Sequence, residues 1–195
     1  MRKRKLLRSA FAIGACLLMT ASANAAPQNL IANGNFEQVK NGQAADWNVT
    51  ENPGVVENSF PTENGFGHIA LTKFLKWDAH GAYFTQSVTV KPHTQYRLSL
   101  KARMNTGNIR FAVSGGDGED KVNLVEYGRA SHLSMYPFFW DEAWSKYLVF
   151  EPNEWRPVII DFNSGNATSV YVSFGAYQRA GTYSFDDVSL VEIQK

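Results

Sequence analysis

Tyr183-Ser184-Phe185-Asp186-Asp187-Val188-Ser189-Leu190 and Asn29-Leu30-Ile31-Ala32-Asn33-Gly34-Asn35-Phe36-Glu37 decide the fold of this chain. In the first stretch Tyr183 and Phe185 alternate with Ser184 and Asp186, the period-two pattern of a half-buried strand. The second joins an apolar pair to Asn-Gly-Asn and ends on Phe36-Glu37. Carboxylates beside apolar strand positions need a partner or a use, because burying an unpaired charge is costly. The residues alone leave two readings. Asp186-Asp187 forms a bulge or a solvent-facing edge while Glu37 caps a turn, or the two ends meet and their carboxylates hold a cation.

Between these stretches the same period recurs. Gln86 to Val90 alternates and stops at Lys91-Pro92. Tyr96, Leu98, Leu100 and Ala102 share one register, with Arg97, Ser99, Lys101 and Arg103 on the other. Ile109 to Val113 ends at Gly115-Gly116, and Tyr147 to Phe150 ends at Pro152. Arg156 to Phe162 and Ser169 to Phe174 follow, separated by a Gly/Asn turn. Many short strands with polar turns predict an all-β chain folded as an antiparallel β-sandwich or barrel. Phe36, Trp47, Phe111, Trp155, Phe162, Phe174 and Phe185 are assigned to its core. From Gly115 to Lys146 the alternation is poor apart from Val122 to Tyr127. Tyr127, Tyr136, Phe138, Phe139, Trp140 and Trp144 crowd the end of that stretch. So many aromatics argue against disorder. A structured loop over 127–144 is expected, with one helical turn at Asp141 to Ser145.

The beginning of the chain reads as a targeting segment. Arg2, Lys3, Arg4, Lys5 and Arg8 precede an apolar run from Ser9 to Ala21, too short to span a bilayer. Ala23-Asn24-Ala25 fits a small-x-small cleavage site. A signal peptide over 1–25 and a single domain over 26–195 are expected, in a secreted or periplasmic protein. Cys16 is the only cysteine and lies in that segment. Its alternative is a lipidation site, since Ile13-Gly14-Ala15-Cys16 loosely resembles a lipobox. Without Cys16 there is no disulfide and no thiolate chemistry. Of the 19 Lys+Arg, five belong to the signal, leaving 14 against 18 Asp+Glu and a formal net charge of −4. That balance argues against nucleic acid and against an anionic membrane surface. A monomer is expected.

The two opening stretches, with the motifs between them, resemble the carbohydrate-binding modules of families 4, 9, 16 and 22, which have a galactose-binding-like jelly roll. Asn29 to Glu37 matches their opening motif, and Trp47 the tryptophan that follows. Lys76-Trp77-Asp78, the Gln86 strand and the Pro92 to Tyr96 turn match in order. Glu154-Trp155 resembles an entry to the next strand, and Phe185 to Leu190 the closing one. The segment 127–144 has no counterpart in that pattern. The resemblance implies a glycan partner and first and last strands lying side by side. It also implies a structural calcium ion held by Glu37 and Asp186.

Sugar rings offer C–H faces to aromatic rings and hydroxyls to polar side chains. Trp77 stands where the resembling families carry a stacking ring. Tyr83, Tyr136, Trp140 and Tyr177 are further candidates, with Arg103 and Gln178 as hydrogen-bonding groups. Asp117 to Asp120 lacks the spacing of a calcium loop. No nucleophile elbow, phosphate loop or metal-spaced histidine pair occurs. The first reading is a secreted, non-catalytic carbohydrate-binding protein. Its alternatives are a small jelly-roll lyase or glycosidase, with His132 and Tyr136 or Asp141-Glu142 as acid and base, and an adhesion module for another protein.

Overall fold

The alternation becomes two antiparallel sheets packed face to face. The computed structural model describes residues 27–51, 58–59, 62–63, 65–71, 81–116, 122–130, 151–177 and 179–194. No helix occurs among the described residues. The strands are β1 (Val39–Lys40), β2 (Gln43–Ala44), β3 (Asn48–Glu51), β4 (Asn58–Ser59), β5 (Thr62–Glu63), β6 (Phe66–Leu71) and β7 (Ala82–Thr89). They continue as β8 (Gln95–Met104), β9 (Asn108–Gly115), β10 (Val122–Ala130), β11 (Arg156–Asn163), β12 (Ser169–Ala176) and β13 (Gly181–Glu192). One sheet has the order β10-β9-β12-β7-β3 and the other β11-β8-β13-β6-β4, with β5 also on β6 and a small β1-β2 hairpin apart. Every strand pair is antiparallel.

Period-two patterning decides which residues meet between the sheets. Along β8, Tyr96, Leu98, Leu100, Ala102 and Met104 are buried while Arg97 and Lys101 face solvent. Along β12, Val170, Val172 and Phe174 point inward and Tyr171 and Ser173 outward. Phe84 and Phe174 of one sheet meet Phe185 of the other, with Phe174 and Phe185 ring centres 4.9 Å apart. Phe36 stacks on Trp47 at 5.3 Å, and Trp47 stands edge-on to Phe174 at 5.1 Å. Each such ring contributes about 1.5–3 kcal/mol through burial. Phe36, Trp47, Phe111, Phe162, Phe174 and Phe185 are all core, as expected.

The opening stretch differs from expectation: Asn29 to Glu37 is not a strand. It runs extended and then turns at 32–35. Asn33 and Phe36 have φ of 46° and 56°, which ends any ladder. Its ends are tied to β13 all the same. Leu30 N donates to Leu190 O and Val188 N to Gly34 O, each at 2.8 Å. Asn29 Oδ1 accepts from Leu190 N at 2.9 Å and from Ile31 N at 3.0 Å. The Asn29 side chain thus makes bonds that a strand would have made, as short polar residues do. Gly34 is required here, since a Cβ would run into Val188 O. Gln86, almost fully buried, donates to Ala32 O and Asp46 O at 3.0 Å and accepts from Ala32 N at 2.9 Å. Trp47 Nε1 donates to Asn33 O at 3.0 Å. The opening stretch and β13 therefore lie side by side, as the resemblance implied, without forming a regular strand pair.

Two further differences follow from register. β10 continues to Ala130, so Tyr127 is in a strand opposite Phe111 rather than at the start of a loop. Trp155 is only partly buried and stands outside the core, because it precedes the first residue of β11 and is not gathered between the sheets. Residues 1–26, with the expected signal peptide and Cys16, lie outside the described residues, as do 131–150, with the expected helical turn and the strand Tyr147 to Phe150.

Candidate functional site

Each sheet turns one face to solvent, and the predicted ligand residues divide between the two. On the five-stranded sheet, Tyr83, Gly175 and Arg110 lie in one row across β7, β12 and β9. Tyr83 is flanked in sequence by the buried Ala82 and Phe84, so alternation sends its ring outward. The Arg110 guanidinium sits 5.6 Å from the centre of the Tyr177 ring. Gly175 between them is buried and lies so close to β7 that a Cβ would run into Ala82 O, so the row carries side chains only at its aromatic and cationic members. The next row pairs Thr85 Oγ1 with Ser173 Oγ at 3.0 Å. The face therefore offers rings flanked by a guanidinium and hydroxyls.

The ends of these strands explain what gathers there. Ala176 pairs with both Ala82 and Ile109, and Ala130 with Asn108. The start of β7 and the ends of β12 and β10 therefore share one edge of the sheet. The segments bearing Trp77, Gln178, and Tyr136 with Trp140 join the chain at those three points, although those residues lie outside the described ones. Tyr183 fixes this edge from beneath. Its hydroxyl donates to Arg179 O at 2.5 Å, and burial pushes its phenol well above the ordinary tyrosine range.

The six-stranded sheet carries a different surface. Its outward rows are Arg103–Ser184–His68 and Pro157–Lys101–Asp186. Trp155 stands beside the first row. The Arg103 guanidinium is held between two rings, 4.7 Å from Trp155 and 5.1 Å from Phe66. Phe66 and Trp155 meet edge-on at 5.6 Å. His68 Nδ1 and Ser184 Oγ lie 3.2 Å apart. A depression of about 380 Å³ is lined by Phe66, Lys101, Trp155, Pro157 and Asp186. The rest of this face carries ion pairs, including the two-point Arg97–Asp161 contact at 2.7 and 2.8 Å.

The carboxylates predicted to bind metal lie close together. β13 breaks register between Asp186 and Ser189, and Asp187 adopts φ 51°. This is the bulge that the residues alone suggested. Asp187 N donates to Asp186 Oδ1 at 2.7 Å, and the Asp187 carboxylate pairs with Lys101 at 2.7 Å. Burial raises the Asp186 pKa above the ordinary carboxylate range. Asp187 and Glu37 push it up further, opposed by the Asp187 N–H and by Lys101. Glu37 packs its carboxylate against Gly65, where a Cβ would meet Oε1 at 2.6 Å. A carboxylate whose ionisation is disfavoured by burial and by neighbouring carboxylates suits a cation, and calcium takes such oxygens together with carbonyls. No group of three acidic, histidine or cysteine residues gathers among the described residues.

The structure thus brings Tyr83 and Tyr177 to one face, and Glu37 and Asp186 to one corner. Arg103 lies on the opposite sheet from the two tyrosines. Arg110, Phe66 and Trp155 were missed by the sequence reading. Alternation pointed to Arg110, which sits between the core residues Ile109 and Phe111. Nothing in the sequence placed Phe66 beside Trp155, because that contact joins positions 66 and 155 through sheet order.

No protein-family model and no curated protein matches the sequence. Solved structures do. A family 4 carbohydrate-binding module (CBM4) superposes with TM-score 0.61 at 18% identity, covering 84% of this chain and 99% of that one. The N-terminal cellulose-binding domain of Cellulomonas fimi β-1,4-glucanase C gives 0.53 at 19%, covering 88% of this chain and 99% of that one. The enzymatically active domain of bacteriophage CBA120 tailspike protein 4 gives 0.58 at 15%, covering 85% of this chain but 21% of that one. This chain thus spans about a fifth of the tailspike domain and nearly all of each binding module. Such identities establish the fold: the chain has the antiparallel β-sandwich jelly roll of carbohydrate-binding modules.

Proposed function

We propose that this chain is an exported, non-catalytic carbohydrate-binding protein whose glycan lies across the outer face of the five-stranded sheet. The carrying observation is the group formed by Tyr83, Arg110 and Tyr177 at one end of that face. Pyranose C–H faces pack on the rings while Arg110, Thr85 and Ser173 meet hydroxyls. Trp77, Gln178, Tyr136 and Trp140 lie outside the described residues, and their part in the site rests on the sequence reading. Likeness to binding modules supports a glycan partner. The signal-like first 25 residues, cleaved after Ala25, support export to the periplasm or beyond.

Glu37 and Asp186 would hold a structural calcium ion, tying the opening stretch to β13 where no disulfide is available. The ion supplies positive charge to the corner, and the residues supply oxygens.

The test is isothermal titration against neutral and acidic oligosaccharides, with Tyr83→Ala and Trp77→Ala beside the wild type. Loss of affinity with an unchanged melting temperature is expected. Unchanged affinity in both folded variants sinks this reading. Release of reducing ends or unsaturated sugars, lost in His132→Ala or Tyr136→Phe, replaces it with the enzyme alternative.

A further inference from the structure

The depression on the six-stranded sheet lies on the opposite side of the sandwich from Tyr83, Arg110 and Tyr177. Its walls are apolar, built from Phe66, Trp155 and Pro157, and its polar groups are Lys101 and Asp186. The walls are set before any ligand arrives. Arg103 fills the space between Phe66 and Trp155 and contacts both rings, so neither must be ordered on binding. The volume of about 380 Å³ falls at the small end of ligand sites. It suits one or two sugar rings, not a folded partner.

The polar pair narrows the chemistry. Lys101 and Asp186 are opposite each other across β8 and β13. Lys101 Nζ gives one N–H to Asp187 at 2.7 Å and keeps two to donate, and the Asp186 carboxylate, whose Oδ1 accepts from Asp187 N, keeps further lone pairs to accept. A vicinal diol satisfies both, because each hydroxyl donates and accepts. A carboxylate or sulfate would gain from Lys101 and be repelled by Asp186.

We propose that this depression is a second carbohydrate site, taking a neutral pyranose unit through vicinal hydroxyls. The ring packs against the partly exposed Trp155. Lys101 donates to one hydroxyl and Asp186 accepts from its neighbour. A protein with sites on both sheets grips two glycan chains, or two parts of one chain, from opposite sides. The site uses none of the five-stranded-sheet residues, so it stands or falls separately from the glycan face proposed above; because it shares Asp186 with the proposed calcium corner, it is tested in chelator.

The test follows the indole N–H resonance of Trp155 in the purified protein, assigned by its loss in Trp155→Phe. The probes are methyl glucoside, methyl xyloside, methyl galactoside and methyl glucuronide. A saturable shift with at least one neutral glycoside is expected, persisting in the double variant Tyr83→Ala/Tyr177→Ala. Lys101→Ala, on the exposed rim, should weaken it roughly tenfold, the scale of one hydrogen bond from a charged group. No shift with any neutral glycoside overturns the proposal, as does a stronger response to the glucuronide. Disappearance of the shift in the folded double variant also overturns it, since Trp155 would then be reporting the other face. If the Trp155 shift persists while Tyr83→Ala leaves oligosaccharide affinity intact, this site stands and the five-stranded reading fails.

Discussion

The two outer faces of the sandwich share a core and differ in how they use charge. The six-stranded face carries ion pairs: Arg97 with Asp161, Lys101 with Asp187 and Lys91 with Glu192. On the five-stranded face the Arg110 guanidinium lies over the Tyr177 ring, beside a Thr–Ser hydroxyl pair. The difference teaches where to look for ligand contacts. An exposed ion pair is already satisfied and contributes little. A ring beside hydroxyls still presents surface that a sugar can cover. Arg103 is the exception on the six-stranded face, held by two rings instead of by a carboxylate, and it marks the depression there.

The largest effect should come from what both faces share. Phe174→Ala empties the space between Phe84, Trp47 and Phe185. It should cost about 3–5 kcal/mol of stability, read by denaturant unfolding, and weaken binding at either face only through unfolding. A folded variant that loses binding at one face alone would show that the faces are not supported by a common core.

Next is the acidic corner. Calcium at about a hundred times its dissociation constant should stabilise the protein by about 2.7 kcal/mol. Glu37→Ala should abolish that gain. Identical thermal melts in chelator and in excess calcium would leave the corner a plain bulge. Tyr83→Ala should cost about 1–3 kcal/mol of glycan binding, roughly 5- to 150-fold in affinity, with little change in melting temperature. If instead stability falls and affinity follows, the ring belongs to the sheet and not to the site.

A smaller effect tests the corner by pH. The folded-state pKa of Asp186 is raised, chiefly by burial, so the folded protein holds that proton more tightly than the unfolded chain. In chelator this contribution should be most favourable below the ordinary carboxylate range and fade as pH rises through the raised value. Asp186→Asn should flatten that slope in a pH series of unfolding midpoints, and an unchanged slope would assign it elsewhere. Smallest of all, Arg97→Ala should leave the melting temperature and both binding responses unmoved, since Arg97 and Asp161 are well exposed.

The sequence by itself determined the fold class and most of the core. Alternation survives any tertiary arrangement, because successive strand side chains point to opposite faces. It correctly sent Leu98, Phe111, Phe174 and Phe185 inward. The acidic bulge was legible as one of two readings, since Asp186-Asp187 interrupts that period. Sequence alone could not decide which outward residues share a face. Arg103 and Tyr177 look equivalent along the chain, yet β8 and β12 belong to different sheets, so the sandwich core separates them. Nor could it seat Trp155. A tryptophan one residue before a strand is core or surface depending on what lies across the sheet. Here that is Arg103 and Phe66, brought beside it because β13 lies between β8 and β6. The opening stretch was misjudged as a strand for a related reason. Asn29 forms its long-range bonds with β13, far along the chain, and only the closed fold supplies those partners.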